Sequence, residues 1–357
     1  MIEQTTSRLS FLRTSLEAAR ASVGLSGLAL AVAYGSGPAH TITVGADDKG
    51  QALSEDSLFP IASVTKLAVA LAILRLSDQG LLSVDDPLQR FVPDAAAAPF
   101  GVTLKQLLTF TAGLPAFPND AWTYDISLTW QTEAQAALKV APTISVGTRV
   151  AYSDVNYPLL AVVIERIRNQ PFQAAVKELV LQPLGIEAYL GLEPPRVPAY
   201  VTDPPDQYVG ASIEMWNSAF WRSLGMPGNG VVATPAATLA LIRAYRGLPE
   251  GFLRPDTLRA AVKDQTGGVG GGFPWQEWDW CPWGLGPWMI VENMNHYAFP
   301  DANPGTLSVT GYSGCAVFAD PIADVAWSFH GTETFATGRI QSASLLIGNA
   351  VLASTHA

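Results

Sequence analysis

Between Thr65 and Leu76 the chain reads TKLAVALAILRL, apolar almost all round, with Lys66 and Arg75 as its only charges. A helix with no polar face must be buried on every side, so this stretch demands a sizeable protein built around it. Pro60 brings a short extended segment into it, and Gly80 suits the position just past its last turn, after Asp78-Gln79. Ser63 falls at the helix start, where unpaired N–H groups and the positive dipole end favour a developing negative charge. Lys66 follows three residues on, on the same face, within reach of the Ser63 hydroxyl. Ser63 is the only serine in the chain placed three residues before a lysine. Two readings fit: a helix-capping serine with a lysine snorkelling out of the core, or a nucleophilic serine with a basic lysine beside it, the S-x-x-K arrangement. A lone cation in an apolar helix is costly unless it has a partner or a task.

With 357 residues, 48% of them hydrophobic and 15% charged, the chain can bury a deep core as one large domain or two. A net charge of −10 supplies no cationic stripe for phosphates, so no nucleic-acid partner is expected. No apolar run reaches the length of a membrane span, and no membrane partner is expected. Val23 to Tyr34, after Arg13 and Arg20, has some features of a secretion signal. The segment before it, however, carries Glu3 and Glu17 with helical spacing at Leu9, Leu12, Leu16 and Ala19, so an amphipathic helix over 7–21 followed by a first core strand is expected. Cys281 and Cys315 form no metal or redox spacing. Whether they pair stays open, and a reducing cytoplasm fits. The four histidines (His40, His296, His330, His356) are scattered, with no H-E-x-x-H and no G-x-S-x-G elbow, which disfavours a zinc enzyme and an α/β-hydrolase. No cofactor or metal is expected, and the oligomeric state is not legible.

Gly27 to Tyr34 and Thr41 to Val44 read as paired strands around the turn Gly35-Ser-Gly-Pro38. From Ser83 the texture becomes helical. Val84–Leu88, Val102–Leu108 and Leu128–Val140 read as short helices, and Ala161–Arg168 and Phe172–Leu181 as clearer ones, each after a proline. Thr234 is expected to cap a helix with Pro235 at its first position. Leu285–Val291, Thr306–Thr310, Cys315–Ala319 and Val325–His330 read as strands, and a helix from about Gly338 to Leu352 closes the chain. Gly267–Gly272 lacks the strand–G-x-G-x-x-G–helix context of a nucleotide loop. The expected fold is α+β: an antiparallel sheet flanked by helices, formed by residues 1–80 and 221–357, with a mostly helical subdomain over 81–220 and the active site in the cleft between them.

A nucleophilic serine needs a base, an oxyanion site and an edge that aligns substrate. Tyr152-Ser153-Asp154 puts a phenol, a hydroxyl and a carboxylate on a loop leading into a helix. Read blandly, Asp154 is a helix cap; read functionally, the Tyr152 phenol shuttles a proton between Ser63 and a leaving group. In Thr310-Gly-Tyr312-Ser313-Gly314-Cys315, glycine beside a strand marks either a bulge or close backbone approach by a ligand.

Taken together, these segments resemble the serine β-lactamase and penicillin-binding-protein superfamily, in its class C-like branch, which includes family VIII carboxylesterases. The likeness rests on Leu58-Phe-Pro-Ile-Ala-Ser-Val-Thr-Lys66, Val84-Asp-Asp-Pro-Leu88, Leu107–Pro115, Val146–Asp154, Gln182-Pro-Leu-Gly-Ile186 and Tyr312-Ser-Gly314, in shared order and spacing. The resemblance implies that Ser63 is the nucleophile, that Lys66 and Tyr152 form the acid/base pair, and that the backbone N–H groups of Ser63 and Cys315 make the oxyanion hole, the Cys315 side chain being dispensable. It places Asp154, Tyr312, Ser313 and Gly314 at the substrate. Two positions depart from the family pattern. Asp154 stands where an Asn is usual, adding a charge that pairs with Lys66 and raises its pKa, which shifts the base role towards Tyr152. Tyr312 stands where a Lys or His binds a substrate carboxylate, which points to neutral esters and away from penicillins or D-Ala-D-Ala peptides.

The tract from Phe273 to Trp283 is rich in aromatics. Trp275, Trp278 and Trp280, with Trp122 and Tyr124 as a second wall, are candidates for an apolar acyl or aryl pocket, against simple packing as the alternative. The expected function is hydrolysis of small carboxylic esters through an acyl-Ser63 intermediate. The same chemistry would serve a β-lactamase, a D-amino-acid peptidase or an acyltransferase, and a non-catalytic binding protein on this fold is the alternative from another class.

Overall fold

The computed structural model describes residues 2–118, 124–292, 294, 296, 299 and 301–356. In chain order its strands are β1 (Gly27–Tyr34), β2 (His40–Gly45), β3 (Phe59–Pro60), β4 (Val150–Ala151), β5 (Ala188–Leu190), β6 (Val231–Ala233), β7 (Gly271–Phe273), β8 (Gln276–Trp278), β9 (Trp288–Met289), β10 (Leu307–Gly311), β11 (Cys315–Asp320) and β12 (Val325–Gly331). The helices are α1 (Ile2–Val23), α2 (Thr65–Asp78), α3 (Leu104–Leu108), α4 (Trp130–Leu138), α5 (Asn156–Arg168), α6 (Phe172–Val176), α7 (Ala219–Leu224), α8 (Pro235–Arg243), α9 (Pro255–Ala261) and α10 (Arg339–Ser354).

Six strands form one antiparallel sheet in the order β2-β1-β12-β11-β10-β9. β11 and β12 are buried at every position, which is why they read as near-continuous apolar runs instead of alternating ones. Helices cover the sheet: α1 packs on α10 and β2, α10 packs on β12, and α8 lies against β1, β11 and β12. α2 contacts α5, α6 and α8, and Leu67 to Leu74 are completely buried. The helix without a polar face is thus enclosed, as its composition demands, and each of its fully buried Leu and Ile side chains contributes roughly 1.5–3 kcal/mol of transfer free energy. No helix among the described residues is long and apolar enough to cross a membrane.

Local differences from the sequence reading have local causes. α5 begins at Asn156, five residues before the expected start, because Pro158 is tolerated inside a first turn. Val84–Leu88 is a turn and not a helix: Asp86 accepts from the Ser83 amide at 2.7 Å, and only Leu88–Arg90 winds into a single tight turn. Phe172–Leu181 splits into α6 and a wider turn over Lys177–Leu181. The strand expected over 285–291 shrinks to β9, since Pro287 has no amide to donate to a ladder. Cys281 and Cys315 are both buried and unpaired.

Candidate active site

Ser63 sits in one 3-10 turn, Ala62–Val64, that leads into α2. Ala62 holds φ at +42°, a left-handed conformation that side chains with a Cβ rarely adopt, and strain of this kind is kept where the surroundings fix it. Those surroundings are visible. The Ile61 amide donates to the Val231 carbonyl at 3.0 Å, and the Val231 amide donates to Thr65 Oγ1 at 3.0 Å, lashing the turn to β6. From the other side, Ser313 Oγ donates to the Pro60 carbonyl at 2.6 Å and Cys315 Sγ to the Ile61 carbonyl at 3.2 Å. The β10–β11 hairpin is therefore bolted to the two residues before Ala62. Gly314 makes the hairpin possible: its φ is +89°, and a Cβ there would meet the Glu333 carbonyl at 1.9 Å.

Tyr152 follows β4, which pairs in parallel with β7. The Tyr152 amide donates to the Gly272 carbonyl at 2.9 Å. Gly271, at φ +127°, permits that approach, since a Cβ would meet the Val150 carbonyl at 2.0 Å. The phenol ring packs on Phe110 (4.5 Å between centroids) and Phe273 (4.8 Å). Ser153 does not reach into the site; its Oγ donates to the Pro115 carbonyl at 2.6 Å and accepts from the Val155 amide at 3.1 Å.

The hydroxyl, the amine and the phenol converge. Lys66 Nζ donates to Ser63 Oγ at 3.2 Å, and the Tyr152 hydroxyl donates to the same oxygen at 2.9 Å. Lys66 Nζ also donates to Asp154 Oδ1 at 2.8 Å and to the Gly228 carbonyl at 3.0 Å. Three acceptors use all three ammonium hydrogens. Burial pulls the Lys66 pKa down, but the Asp154 carboxylate and the Tyr152 oxygen outweigh it, and the ammonium is held above its ordinary range. Burial raises the Tyr152 phenol above its ordinary value, Lys66 opposing the shift and Asp154 adding to it. His330, buried with its ring on Phe59, has its pKa pushed down to about 3 by burial and touches none of these groups. Among the described residues no cluster of His, Cys, Asp or Glu could hold a metal ion.

Asp154 is thus an ion-pair partner and not a helix cap; the N-cap of α5 is Val155. Because the folded-state Lys66 pKa lies above its ordinary 10.5, the stabilisation it supplies is complete below that value and is lost as pH rises through the raised one. Asp154→Asn is expected to remove it at neutral pH. Discounted for the 40% exposure of the Asp154 side chain, the cost is about 1–3 kcal/mol. Urea unfolding from about pH 6 to 9 checks this, and a variant as stable as the wild type throughout refutes it.

Two cavities meet at Ser63. One of about 390 Å³ is walled by Phe117, Leu128, Met215, Trp221, Leu224 and Met226, and Tyr124 and Asn229 also face it. A second of about 290 Å³ is lined by Phe273, Thr310, Phe335 and Gln341. Ser63, Tyr152, Trp275 and Tyr312 border both. Of the residues singled out in the sequence, Trp275, Tyr124, Tyr312 and Asp154 therefore lie at the cavities. Trp278 and Trp280 do not line them: Trp278 packs on Trp288 at 4.7 Å, and Trp280 donates to Asp264 at 3.2 Å. Ser313 and Gly314 shape the hairpin instead of the cavity walls. The Cys315 thiol, expected to be dispensable, has a task in its bond to Ile61. Trp122 lies outside the described residues. The Gly228 carbonyl and the apolar wall over 215–226 were not anticipated. Gly228-Asn-Gly230 shows in the sequence only as a turn, and nothing local marks it as a partner of Lys66.

The family described as Beta-lactamase matches residues 12–345 of the chain. Esterase EstB of Burkholderia gladioli is 31% identical over 313 residues, 76% of each chain. The D-alanyl-D-alanine-carboxypeptidase/endopeptidase AmpH of Escherichia coli is 32% identical over 143 residues, 37% of this chain and 36% of AmpH. Among solved structures, EstCE1, a hydrolase with promiscuous acyltransferase activity, superposes with a TM-score of 0.76 at 22% identity, covering 99% of this chain and 100% of EstCE1. A penicillin-binding protein homologue from Caulobacter crescentus gives 0.76 at 23% identity, covering 96% and 97%. At such identities the two structures show a shared fold.

Proposed function

The chain belongs to the beta-lactamase family, and from that membership together with the shared contacts of Ser63, Lys66 and Tyr152 we propose that it is a serine hydrolase of small carboxylic esters. The observation that carries the reading is that one hydroxyl oxygen accepts from both an ammonium and a phenol at the mouth of two apolar cavities. Substrate enters the cleft between the sheet-bearing part (1–80 and 221–357) and the helical part (81–220). Ser63 Oγ attacks the ester carbonyl carbon. Its proton passes to the Tyr152 phenolate, because Lys66 is already a cation and cannot accept it. The phenolate is a minor species at neutral pH, stabilised by the neighbouring ammonium. The carbonyl oxygen becomes an oxyanion held by the amides of Ser63 and Cys315. When the tetrahedral intermediate collapses, the alcohol leaves with the Tyr152 proton and the acyl group stays on Ser63. Water then repeats the sequence and releases the acid.

Esters are favoured over anionic lactams and peptides because Tyr312, not a cation, borders the site, and because both cavities are mainly apolar. The 31% identity to EstB supports the same choice. A net charge of −10 is consistent with a small-molecule substrate and no nucleic acid. Two buried, unpaired cysteines suit the reducing cytoplasm. Intact-protein mass spectrometry after brief exposure to an activated ester such as p-nitrophenyl butanoate is expected to show one added butanoyl group, mapped by digestion to Ser63. No adduct on trapping, or an adduct elsewhere, refutes the proposal.

A further inference from the structure

Trp275 is 68% exposed, unusually so for the largest apolar side chain. It sits at the two-residue tip between β7 and β8, with its ring stacked on Phe273 at 5.2 Å between centroids and 20° between planes. Phe273 in turn packs on the Tyr152 phenol. The indole thus projects from the hairpin that packs, through Phe273, on the Tyr152 ring, and it borders both cavities that meet at Ser63. Tyr312, 44% exposed on the β10–β11 hairpin, borders both as well.

We infer that Trp275 is a specificity-determining wall that divides the cleft, so that the acyl and alcohol halves of an ester are sorted into separate lobes and branching next to the ester group is rejected. The inference rests on the hydrolase reading above. The larger lobe, whose outer wall is Leu128, Met215, Trp221, Leu224 and Met226, suits the acyl chain, which must stay in place after the first step. The smaller lobe carries the polar side chains of Thr310 and Gln341 and suits the alcohol, which must be released to water. The favoured substrates are esters of unbranched aliphatic acids with planar or primary alcohols.

The test uses two matched pairs: p-nitrophenyl butanoate against p-nitrophenyl pivalate, branched on the acyl side, and n-butyl against tert-butyl acetate, branched on the alcohol side. In the wild type kcat/KM is expected to favour the unbranched partner of each pair. Trp275→Ala opens both lobes and is expected to narrow both preferences by about tenfold or more. Met215→Ala is expected to narrow the acyl preference alone, and Phe335→Ala the alcohol preference alone. Trp275→Phe, which keeps a ring at the tip, is expected to fall between Trp275→Ala and the wild type, and melting curves verify that every variant is folded. Unchanged preferences in Trp275→Ala, or equal effects of Met215→Ala and Phe335→Ala on both pairs, overturn the inference while the hydrolase reading stands. Absence of wild-type turnover on all four esters overturns both.

Discussion

Ser63→Ala is expected to lower kcat for a chromogenic short-chain ester by about 10⁴-fold or more, the scale seen when the nucleophile of an acyl-transfer enzyme is removed. The variant should remain folded. Without the hydroxyl, Lys66 keeps Asp154 and the Gly228 carbonyl as acceptors, so the buried ammonium loses one bond of three and is not stranded. A stability change of about 1 kcal/mol is the scale for one such hydrogen bond. The decisive control is the acyl adduct, which must vanish in step with turnover. Ser63→Ala retaining a tenth of wild-type activity would mean that the ester is being cleaved somewhere else, and the assignment of Ser63 would fall.

Tyr152→Phe is expected to cost about 10²–10⁴-fold in kcat/KM, the range for a positioned general acid–base group. Its ring contacts with Phe110 and Phe273 survive the substitution, so packing is preserved while the phenolic oxygen is lost. The pH profile separates this role from a merely structural one. Burial raises the Tyr152 pKa, so at neutral pH most molecules carry the neutral phenol and the accepting phenolate is scarce. Wild-type kcat/KM should therefore climb with pH across the neutral and mildly alkaline range, and Tyr152→Phe should flatten that climb. Asp154 raises both the Tyr152 and the Lys66 values, so Asp154→Asn should move the rising limb to lower pH. A steep alkaline climb that persists in Tyr152→Phe would assign the proton to another group.

The parts of this site that were legible in the sequence are those set by short-range geometry. Ser63 and Lys66 share a face because they stand three residues apart at a helix start, and a charge inside an apolar helix announces itself. Tyr152 and Asp154 could be singled out because loop and helix-start signals surround them. What escaped depends on chain segments that meet only in three dimensions. The Gly228 carbonyl reaches Lys66 across 162 positions, and its sequence signal is that of any glycine turn. The wall over Met215 to Met226 follows the Pro- and Asp-rich segment 191–210, whose lack of helical or strand periodicity gives no sign of an inward face. The side chains of Ser313 and Cys315 hold the segment that leads into Ser63, a task fixed by which carbonyls lie opposite and invisible in the motif itself. Trp278 and Trp280 share the aromatic composition of Trp275 and differ only in where the hairpin turns them.

β1 lies between β2, which follows it after a short turn, and β12, which arrives near the far end of the sequence; the amide of Gly27 and the hydroxyl of Thr332 bond across 305 positions. The β1–β12 rung of the sheet is thus one of the last to be laid. During synthesis β1 must wait, its apolar flank without a partner, while the Ser63 turn and the helices around α2 have already emerged. Non-local closure of this kind makes folding slow, and the waiting strand is the segment on which a chaperone would act.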